Sequence, residues 1–296
     1  DKISDHKTDI YIVGTAIKAF KLFLKGYKNV IVWYQGIIPE ESYIRNHNIF
    51  RKKILESVEK VTLRKTILAI FVSNTMKEHY QSKYNIDFKN RCYVMPCFNT
   101  DIIKESFYKP NKYKNNVFAY TGGLAPWQGF DKILECYEKI EQLNIKKTKL
   151  IVLTPEKEEA LELIKKTSIK NYEVGYSRPE ELPLVLSEVK FGFIIRDNNL
   201  VNQVATPTKL STYLANGLIP IYSESIMDFH NVTSNYKYKI SIDKDDFYKI
   251  INDYMLTDID PDDVYDEYSN LFLTYYNLKY HKSNLECLLK QITKQK

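Results

Sequence analysis

The sequence contains few of the signals that mark secreted, membrane-spanning or metal-binding proteins. Its 296 residues include four cysteines with no C-x-x-C pair and no histidine at metal-ligand spacing, so reduced thiols are expected rather than disulfides or zinc. No apolar run approaches the ~20 residues that a membrane-spanning helix needs. The first ten residues, DKISDHKTDI, lack the apolar core of a signal peptide, and a cytoplasmic location is the expectation.

The common nucleotide-binding loops are also missing. No G-x-G-x-x-G fingerprint with a suitably spaced acidic residue is found, which argues against a nicotinamide-dependent dehydrogenase or a sugar-nucleotide epimerase. No G-x-x-x-x-G-K-[ST] loop is present, which removes the commonest ATPase hypothesis. The standard nucleic-acid-binding motifs are absent as well, so nucleic acid is not an expected partner.

Positive charge is concentrated in one segment of the chain. The net charge is +6, and the segment Ile17–Lys65 holds eleven lysines and arginines against four glutamates. Such a segment suits an anionic membrane surface, and the protein would then be peripheral on the inner face of the plasma membrane. An ordinary solvated helix face explains the same pattern, and both interpretations stay open.

Strand-like and helical patterns alternate twice along the chain. The apolar runs that indicate strands include Val30–Tyr34, Ile67–Ser73, Val117–Thr121, Lys149–Leu153, Val189–Ile195 and Leu218–Tyr222. Alternation of this kind predicts an α/β protein with parallel sheets covered on both faces. We therefore predict two tandem Rossmann-like doubly wound domains over 1–104 and 105–258, with the polar stretch Lys104–Asn116 as linker. C-terminal helices are expected over 259–296 and could return to the first domain.

The stretch NQVATPTKLSTYLANGLIPIY (202–222) has the punctuation of a short helix between two strands. Thr206 can cap the helix, Pro207 suits its first turn, and Asn216-Gly217 supplies a left-handed exit. The front of such a helix opens at the carboxyl edge of the sheet, where its free N–H groups favour an anion and Lys209 adds a full charge. A phosphate is the expected ligand.

A second ligand loop is predicted at Gly122-Gly123, which follow the strand-like run VFAYT and precede a helical pattern. The missing side chains let backbone N–H groups approach a ligand. The sequence thus places two phosphate-accessible loops in the second of two doubly wound domains.

These segments resemble those of the GT-B glycosyltransferases, and in particular the glycosyltransferase-4-like branch that builds bacterial surface and capsular polysaccharides. VFAYTGGLAPWQGFDKILECY resembles that group's strand, glycine loop and helix, and NYEVGYSRPEELPLVLSEVKFGFIIRDNNLVNQVATPTKLSTYLANGLIPI resembles its nucleotide-sugar region. VIVWYQGIIPEES resembles the acceptor-side loop. Family members usually have a longer first domain, so the resemblance implies that an initial strand and helix are missing here.

The resemblance implies a role for residues in both domains. Arg196 and Lys209 are expected to be the catalytic cations that stabilise the departing diphosphate. The expected contacts of the nucleotide sugar are Gly122, Gly123, Gln128, Val174, Tyr176, Asn202, Thr206, Pro207, Thr208 and Thr212. The expected acceptor-side residues are Gln35, Gly36 and Glu41. Neither a metal nor a cofactor is implied, and the expected donor is a UDP-sugar.

Several positions depart from the family pattern. Many members have arginine where this chain has Gly123 and lysine where it has Gln128. The family's glutamate pair would fall at Val204 and Thr212, and the histidine of its acceptor loop at Gln35. The uncharged Thr212 could still bond a ribose hydroxyl, but more weakly than a carboxylate does.

Two functions are therefore predicted. The first is a hexosyltransferase-type enzyme that moves a sugar from a nucleotide diphosphate sugar to a glycan or lipid-linked sugar, with retained anomeric configuration and without a metal ion. The alternative is a non-catalytic GT-B partner subunit or glycan-binding module, which the missing charged residues favour.

Overall fold

Two parallel sheets organise residues 9–294, the part of the chain that this computed structural model describes. One sheet has four strands and the other has six, and neighbouring strands run parallel throughout. Parallel neighbours require crossover connections, which helices supply here. The predicted fold class of two Rossmann-like domains with parallel sheets is confirmed. Within residues 9–294, no helix combines the length and the apolarity needed to cross a bilayer.

The first sheet forms from short apolar runs near the start of the chain. Its strands, in spatial order, are β1 (Tyr11–Val13), β2 (Val30–Tyr34), β3 (Leu68–Phe71) and β4 (Cys92–Val94). The helices of this domain are α1 (Ala16–Leu24), α2 (Ile38–Asn46), α3 (Ile49–Lys65) and α4 (Asn74–Tyr84). Strands β2 and β3 are almost entirely buried, as expected for central strands covered on both faces.

The second sheet is larger and has a core of its own. Its strands, in chain order, are β5 (Asn116–Thr121), β6 (Thr148–Leu153), β7 (Tyr172–Gly175), β8 (Phe191–Ile194), β9 (Ile219–Tyr222) and β10 (Ile240–Ser241). The helices around them are α5 (Lys104–Phe107), α6 (Phe130–Glu141), α7 (Lys157–Ile164), α8 (Leu182–Leu186), α9 (Leu200–Gln203), α10 (Thr208–Ala215), α11 (Met227–Val232) and α12 (Phe247–Leu256), with a 3-10 turn at Pro126–Gln128. Stacked Phe118, Phe191 and Phe193 join β5 and β8 at the centre of this core.

The strand order of the second sheet identifies its ligand-binding edge. The order is β10-β9-β8-β5-β6-β7, so the chain builds outward from β5 in one direction and from β8 in the other. Strand order reverses between β5 and β8, and crevices form at such switch points outside the carboxyl ends of the strands. The loops that begin at Gly122 and at Ile195 leave the sheet at this point.

The stretch 104–116 is not the exposed linker that its polarity predicted. Phe107 and Tyr113 are buried in the second core. The ammonium of Lys112 is buried too, and it donates to the carbonyl groups of Leu186, Ser187 and Asn216. This stretch therefore belongs to the second domain, and the chain crosses between the domains before it.

Two C-terminal helices complete the fold. Helix α13 (Pro261–Leu273) packs on the second core, with Val264 and Tyr268 buried. Helix α14 (Leu278–Lys294) lies instead against the first sheet, where apolar side chains such as Leu285 and Leu288 pack against the buried cluster Ile31, Leu68 and Ile70. The C-terminal helices thus bind both domains.

Candidate functional site

An open cavity of about 460 Å³ lies between the two domains. On the first-domain side, its walls come from the loop after β2 and from α2. On the other side, they come from the turn at Pro126–Gln128, the loop after β8 and the front of α10. Among the predicted site residues, eight line it: Gln35, Gly36, Glu41, Arg196, Asn202, Thr206, Pro207 and Thr208. The rest lie outside this lining.

The front of α10 differs in detail from its sequence prediction. Pro207 is the residue that flanks the helix, and no side chain caps it. The hydroxyl of Thr206 accepts a hydrogen bond from the backbone N of Cys97 at 2.9 Å. It therefore binds the segment that follows β4 and leads into the second domain, and it does not cap the helix. The predicted exit is present, since Gly217 has a φ of 71°. The front of the helix is therefore available to a ligand in the cavity.

Lys209 lies beneath the turn that follows β5. Its Nζ donates to Oε1 of Gln128 at 2.8 Å and sits 4.2 Å from the ring centroid of Tyr120. Gly122 has a φ of 116°, and a Cβ there would lie only 2.8 Å from Cε of Lys209. The backbone conformation therefore favours glycine at this position, and a larger residue would also displace the end of the Lys209 side chain. Burial, reinforced by the positive charge of Arg196, lowers the pKa of Lys209 to about 7.

Arg196 leaves the end of β8 and is held by its surroundings. Its Nη1 donates to the carbonyl oxygen of Trp127 at 2.7 Å, and its backbone N donates to Oγ of Ser223 at 2.9 Å. Within residues 9–294, neither Arg196 nor Lys209 forms an ion pair with a carboxylate. Two partly buried basic side chains that repel each other and lack a carboxylate partner within these residues are suited to binding an anion.

The acceptor-side residues form the opposite wall. A Cβ on Gly36 would lie 2.1 Å from Oε1 of Glu41, so glycine leaves room for this carboxylate. Burial raises the pKa of Glu41. A smaller cavity of about 200 Å³ shares Gln35, Gly36 and Glu41 with the main one and extends to Thr15, at the front of α1. A carboxylate and an amide at the join of two cavities are suited to bonding hydroxyl groups.

Three predicted contacts of the nucleotide sugar lie close to other residues of the protein. Gly123 lies near Glu156, whose Oε1 would be 3.5 Å from a Cβ there. The hydroxyl of Thr212 is buried and donates to Oδ1 of Asn99 at 3.0 Å, and Nδ2 of Asn202 donates to the carbonyl of Asp197 at 3.0 Å.

Val174 and Tyr176 lie at and just beyond the end of β7, the edge strand of the second sheet, where Tyr176 is exposed. Position 204, where the family pattern has a glutamate, holds a valine that is buried in the core of the first domain. Its carbonyl accepts from Oγ of Ser73 at 2.6 Å, so this loop joins the two domains.

Two residues of the cavity were missed by sequence reasoning. Arg45 of α2 lines the cavity, and its Cζ lies 4.9 Å from the ring centroid of Trp127 in the other domain. Trp127 is exposed and also lines the cavity. The available signal was the spacing of Arg45 from Glu41, because residues four apart share one face of a helix. As for metals, no cluster of three or more His, Cys, Asp or Glu residues that could hold an ion exists within the described range.

Comparisons with known proteins identify the fold. No protein-family model and no curated protein matches the sequence. Among solved structures, a mutant of S. aureus TarM in complex with Fondaparinux, alpha-GlcNAc-glycerol and UDP gives a TM-score of 0.68 at 10% identity, over 97% of this chain and 57% of that one. WaaG, a glycosyltransferase involved in lipopolysaccharide biosynthesis, gives a TM-score of 0.59 at 12% identity, over 87% of this chain and 73% of the WaaG chain.

A trehalose 6-phosphate synthase from Burkholderia multivorans gives a TM-score of 0.67 at 9% identity, over 97% of this chain and 72% of that one. At such low identities the likeness shows the fold, and the predicted GT-B fold of the glycosyltransferases is confirmed. The chain spans 57% of the TarM chain. The narrower assignment to the glycosyltransferase-4-like branch stays a prediction.

Proposed function

We propose that this chain is a glycosyltransferase that moves a sugar from a nucleotide diphosphate sugar to a hydroxyl of a glycan or lipid-linked acceptor. The observation that carries the proposal is the pair Arg196 and Lys209, neither of which has a carboxylate partner within residues 9–294. Arg196 lines the interdomain cavity, and Lys209 lies just outside its lining, in the first turn of the uncapped helix α10. The comparisons support it, since the TarM structure contains UDP and WaaG is described as a glycosyltransferase.

In the proposed reaction, the acceptor hydroxyl oxygen forms a bond to the anomeric carbon while the bond between that carbon and the diphosphate oxygen breaks. The hydroxyl proton passes to the departing diphosphate oxygen, on which negative charge grows as the bond breaks. Lys209, Arg196 and the front of α10 stabilise that charge more strongly in the transition state than in the bound substrate. Glu41 and Gln35 lie on the opposite wall and orient the acceptor hydroxyl. The proposal includes independence of a metal ion, because the chain itself supplies the cations, and retention of configuration, which rests only on the resemblance to the family.

The first test is calorimetric titration with UDP, GDP, ADP and TDP. We expect one nucleotide to bind selectively, with UDP as the leading candidate, and Lys209→Ala to weaken its binding at least about tenfold, equivalent to ~1.4 kcal/mol. Lys166→Ala is the matched control, because Lys166 is exposed and does not line the cavity. If the folded wild type binds none of the four, the donor site is absent and the proposal fails.

The alternative is a non-catalytic partner subunit. Gly123 and Gln128 carry no charge, Val204 is buried, and the Thr212 hydroxyl is occupied by Asn99, so several donor contacts of the resembled family have no equivalent. This alternative predicts that an active glycosyltransferase co-purifies with the chain and that Lys209→Ala leaves the activity of the complex intact. A sharp loss of activity in that variant, with an unchanged melting curve, would exclude it.

A membrane-bound location is a further part of the proposal. Helices α1 and α3 contact each other and expose apolar and basic side chains side by side. The exposed residues are Ile17, Lys18, Lys21, Leu24, Lys25, Ile49, Phe50, Arg51, Lys53 and Ile54. Such a surface fits the interface of an anionic bilayer. Flotation should show salt-sensitive binding to vesicles with phosphatidylglycerol and none to pure phosphatidylcholine, and binding to neither would leave the surface as ordinary solvation.

A further inference from the structure

The first domain places one cation over the donor side of the cavity. Arg45 lies in α2, and its guanidinium stacks on the Trp127 ring with Cζ 4.9 Å from the ring centroid. The other end of Trp127 is engaged as well, because its carbonyl oxygen accepts from Nη1 of Arg196 at 2.7 Å. Trp127 is therefore flanked by arginines from both domains, and all three residues line the same cavity.

The guanidinium of Arg45 keeps its hydrogen-bonding capacity. Within the described range, Arg45 donates no hydrogen bond and forms no ion pair, and its contact with the Trp127 ring occupies none of its N–H donors with an acceptor atom. Glu41, one helical turn away, is close enough for the charge of Arg45 to oppose the rise in the pKa of its carboxyl, but the two form no ion pair, and Oε1 of Glu41 occupies the space that a Cβ on Gly36 would fill. The planar fork of donors thus remains free for a ligand, and it matches phosphate oxygens in geometry.

A stacked arginine is held in place before a ligand arrives. Cation–π stacking on tryptophan contributes about 0.5–1 kcal/mol at exposed sites, so the side chain loses less rotamer entropy when it binds. The contact is also made across the domains, because Arg45 belongs to α2 of the first domain and Trp127 to the second.

From this geometry, and resting on the proposed function, we propose that Arg45 is a donor-binding residue supplied by the first domain. It contacts the diphosphate of the nucleotide sugar from the side opposite Lys209, and Trp127 is its platform. Arg45 would then supply positive charge that Gly123 and Gln128 do not.

The test is calorimetric titration of each nucleoside diphosphate and its monophosphate (UDP and UMP, GDP and GMP, ADP and AMP, TDP and TMP) into wild type, Arg45→Ala, Arg45→Lys and Trp127→Ala. For the nucleotide that binds, we expect Arg45→Ala to weaken the diphosphate about tenfold or more and the monophosphate less than about twofold. Arg45→Lys should recover part of the loss. Trp127→Ala should weaken diphosphate binding. In the double variant Arg45→Ala/Trp127→Ala, the loss of binding free energy should be smaller than the sum of the losses in the two single variants.

Arg64→Ala is the matched control, since it removes the same charge from an exposed position in α3 and should leave all affinities unchanged. Wild-type diphosphate affinity in Arg45→Ala, together with weakened binding in Lys209→Ala, would overturn the role of Arg45 and leave the proposed function standing. Equal losses for diphosphate and monophosphate would also overturn it, because Arg45 would then act on the cleft alone. Absence of nucleotide binding by wild type would overturn both.

Discussion

The pKa of Lys209 makes the affinity for a nucleoside diphosphate depend on pH near neutrality. Burial and the charge of Arg196 lower this pKa to about 7 in the ligand-free protein. A bound diphosphate supplies the missing negative charge and raises the pKa, so binding takes up a proton. Affinity is then greatest below pH 7 and falls as the pH rises through 7.

The size of the effect follows from the protonated fraction of Lys209. With a pKa of about 7, that fraction falls from about 0.9 at pH 6 to about 0.1 at pH 8. If only the protonated form binds, affinity falls about tenfold over that range, or ~1.4 kcal/mol. At pH 7 binding should take up about half a proton, which calorimetry detects as a dependence of the observed enthalpy on the ionisation enthalpy of the buffer.

The phosphate of the ligand also titrates near pH 6, so it contributes its own pH dependence to the affinity. Separating the two effects needs a variant in which the residue at position 209 does not titrate near neutrality. Lys209→Arg keeps its positive charge over this pH range, so the pH dependence of its affinity should be only the part that comes from the ligand. Lys209→Met removes the charge and should bind weakly with that same pH dependence. If wild type and Lys209→Arg show identical pH profiles and proton uptake, Lys209 does not carry the ligand contact that we infer.

Three further predictions concern stability. Gly122→Ala should lower the free energy of unfolding by about 1–3 kcal/mol in urea titrations, because alanine is strained at a φ of 116° and its methyl group overlaps Lys209; an unchanged value would contradict the packing described. Lys112→Met should destabilise by about 3 kcal/mol, since the three buried carbonyl acceptors lose their donor, whereas a stabilised variant would show that burying the ammonium is the larger effect. Burial raises the pKa of Glu59 to about 7 from 4.5, so its contribution to stability is present below pH 4.5 and is lost as the pH rises through 7. In thermal melts, Glu59→Gln should therefore show a smaller loss of stability between pH 4.5 and pH 7 than the wild type.

The features that sequence reasoning identified are those that depend on patterns of neighbouring residues. The apolar runs at β2, β8 and β9 and the sequence from Pro207 to Gly217 specify strands and a helix through neighbouring residues alone. The position of Gly122 could also be predicted, because a glycine after a strand and before a helix indicates a loop whose backbone approaches another group closely. In each case the physical cause acts within a few positions of the chain.

The features that were missed depend on residues distant in sequence. Thr206 looked like a cap, but its hydroxyl is used by the backbone of Cys97. The stretch around Lys112 looked like a linker because its polar side chains are common in loops, yet buried carbonyl groups from two other helices hold that ammonium. Arg45 and Trp127 carry no shared motif, because their contact exists only where the two domains face each other.

The departures at 123 and 128 are linked to the position of Lys209. In this structure Oε1 of Gln128 accepts directly from Nζ of Lys209 at 2.8 Å, so a lysine at position 128 would bring two ammonium groups together in a partly buried site. A neutral acceptor at 128 is thus the counterpart of a lysine at 209. Glu156 stands beside Gly123, where an arginine would be drawn to that carboxylate. The uncharged residues are therefore consistent with an anion site whose cations lie at Lys209 and Arg196, at the front of α10.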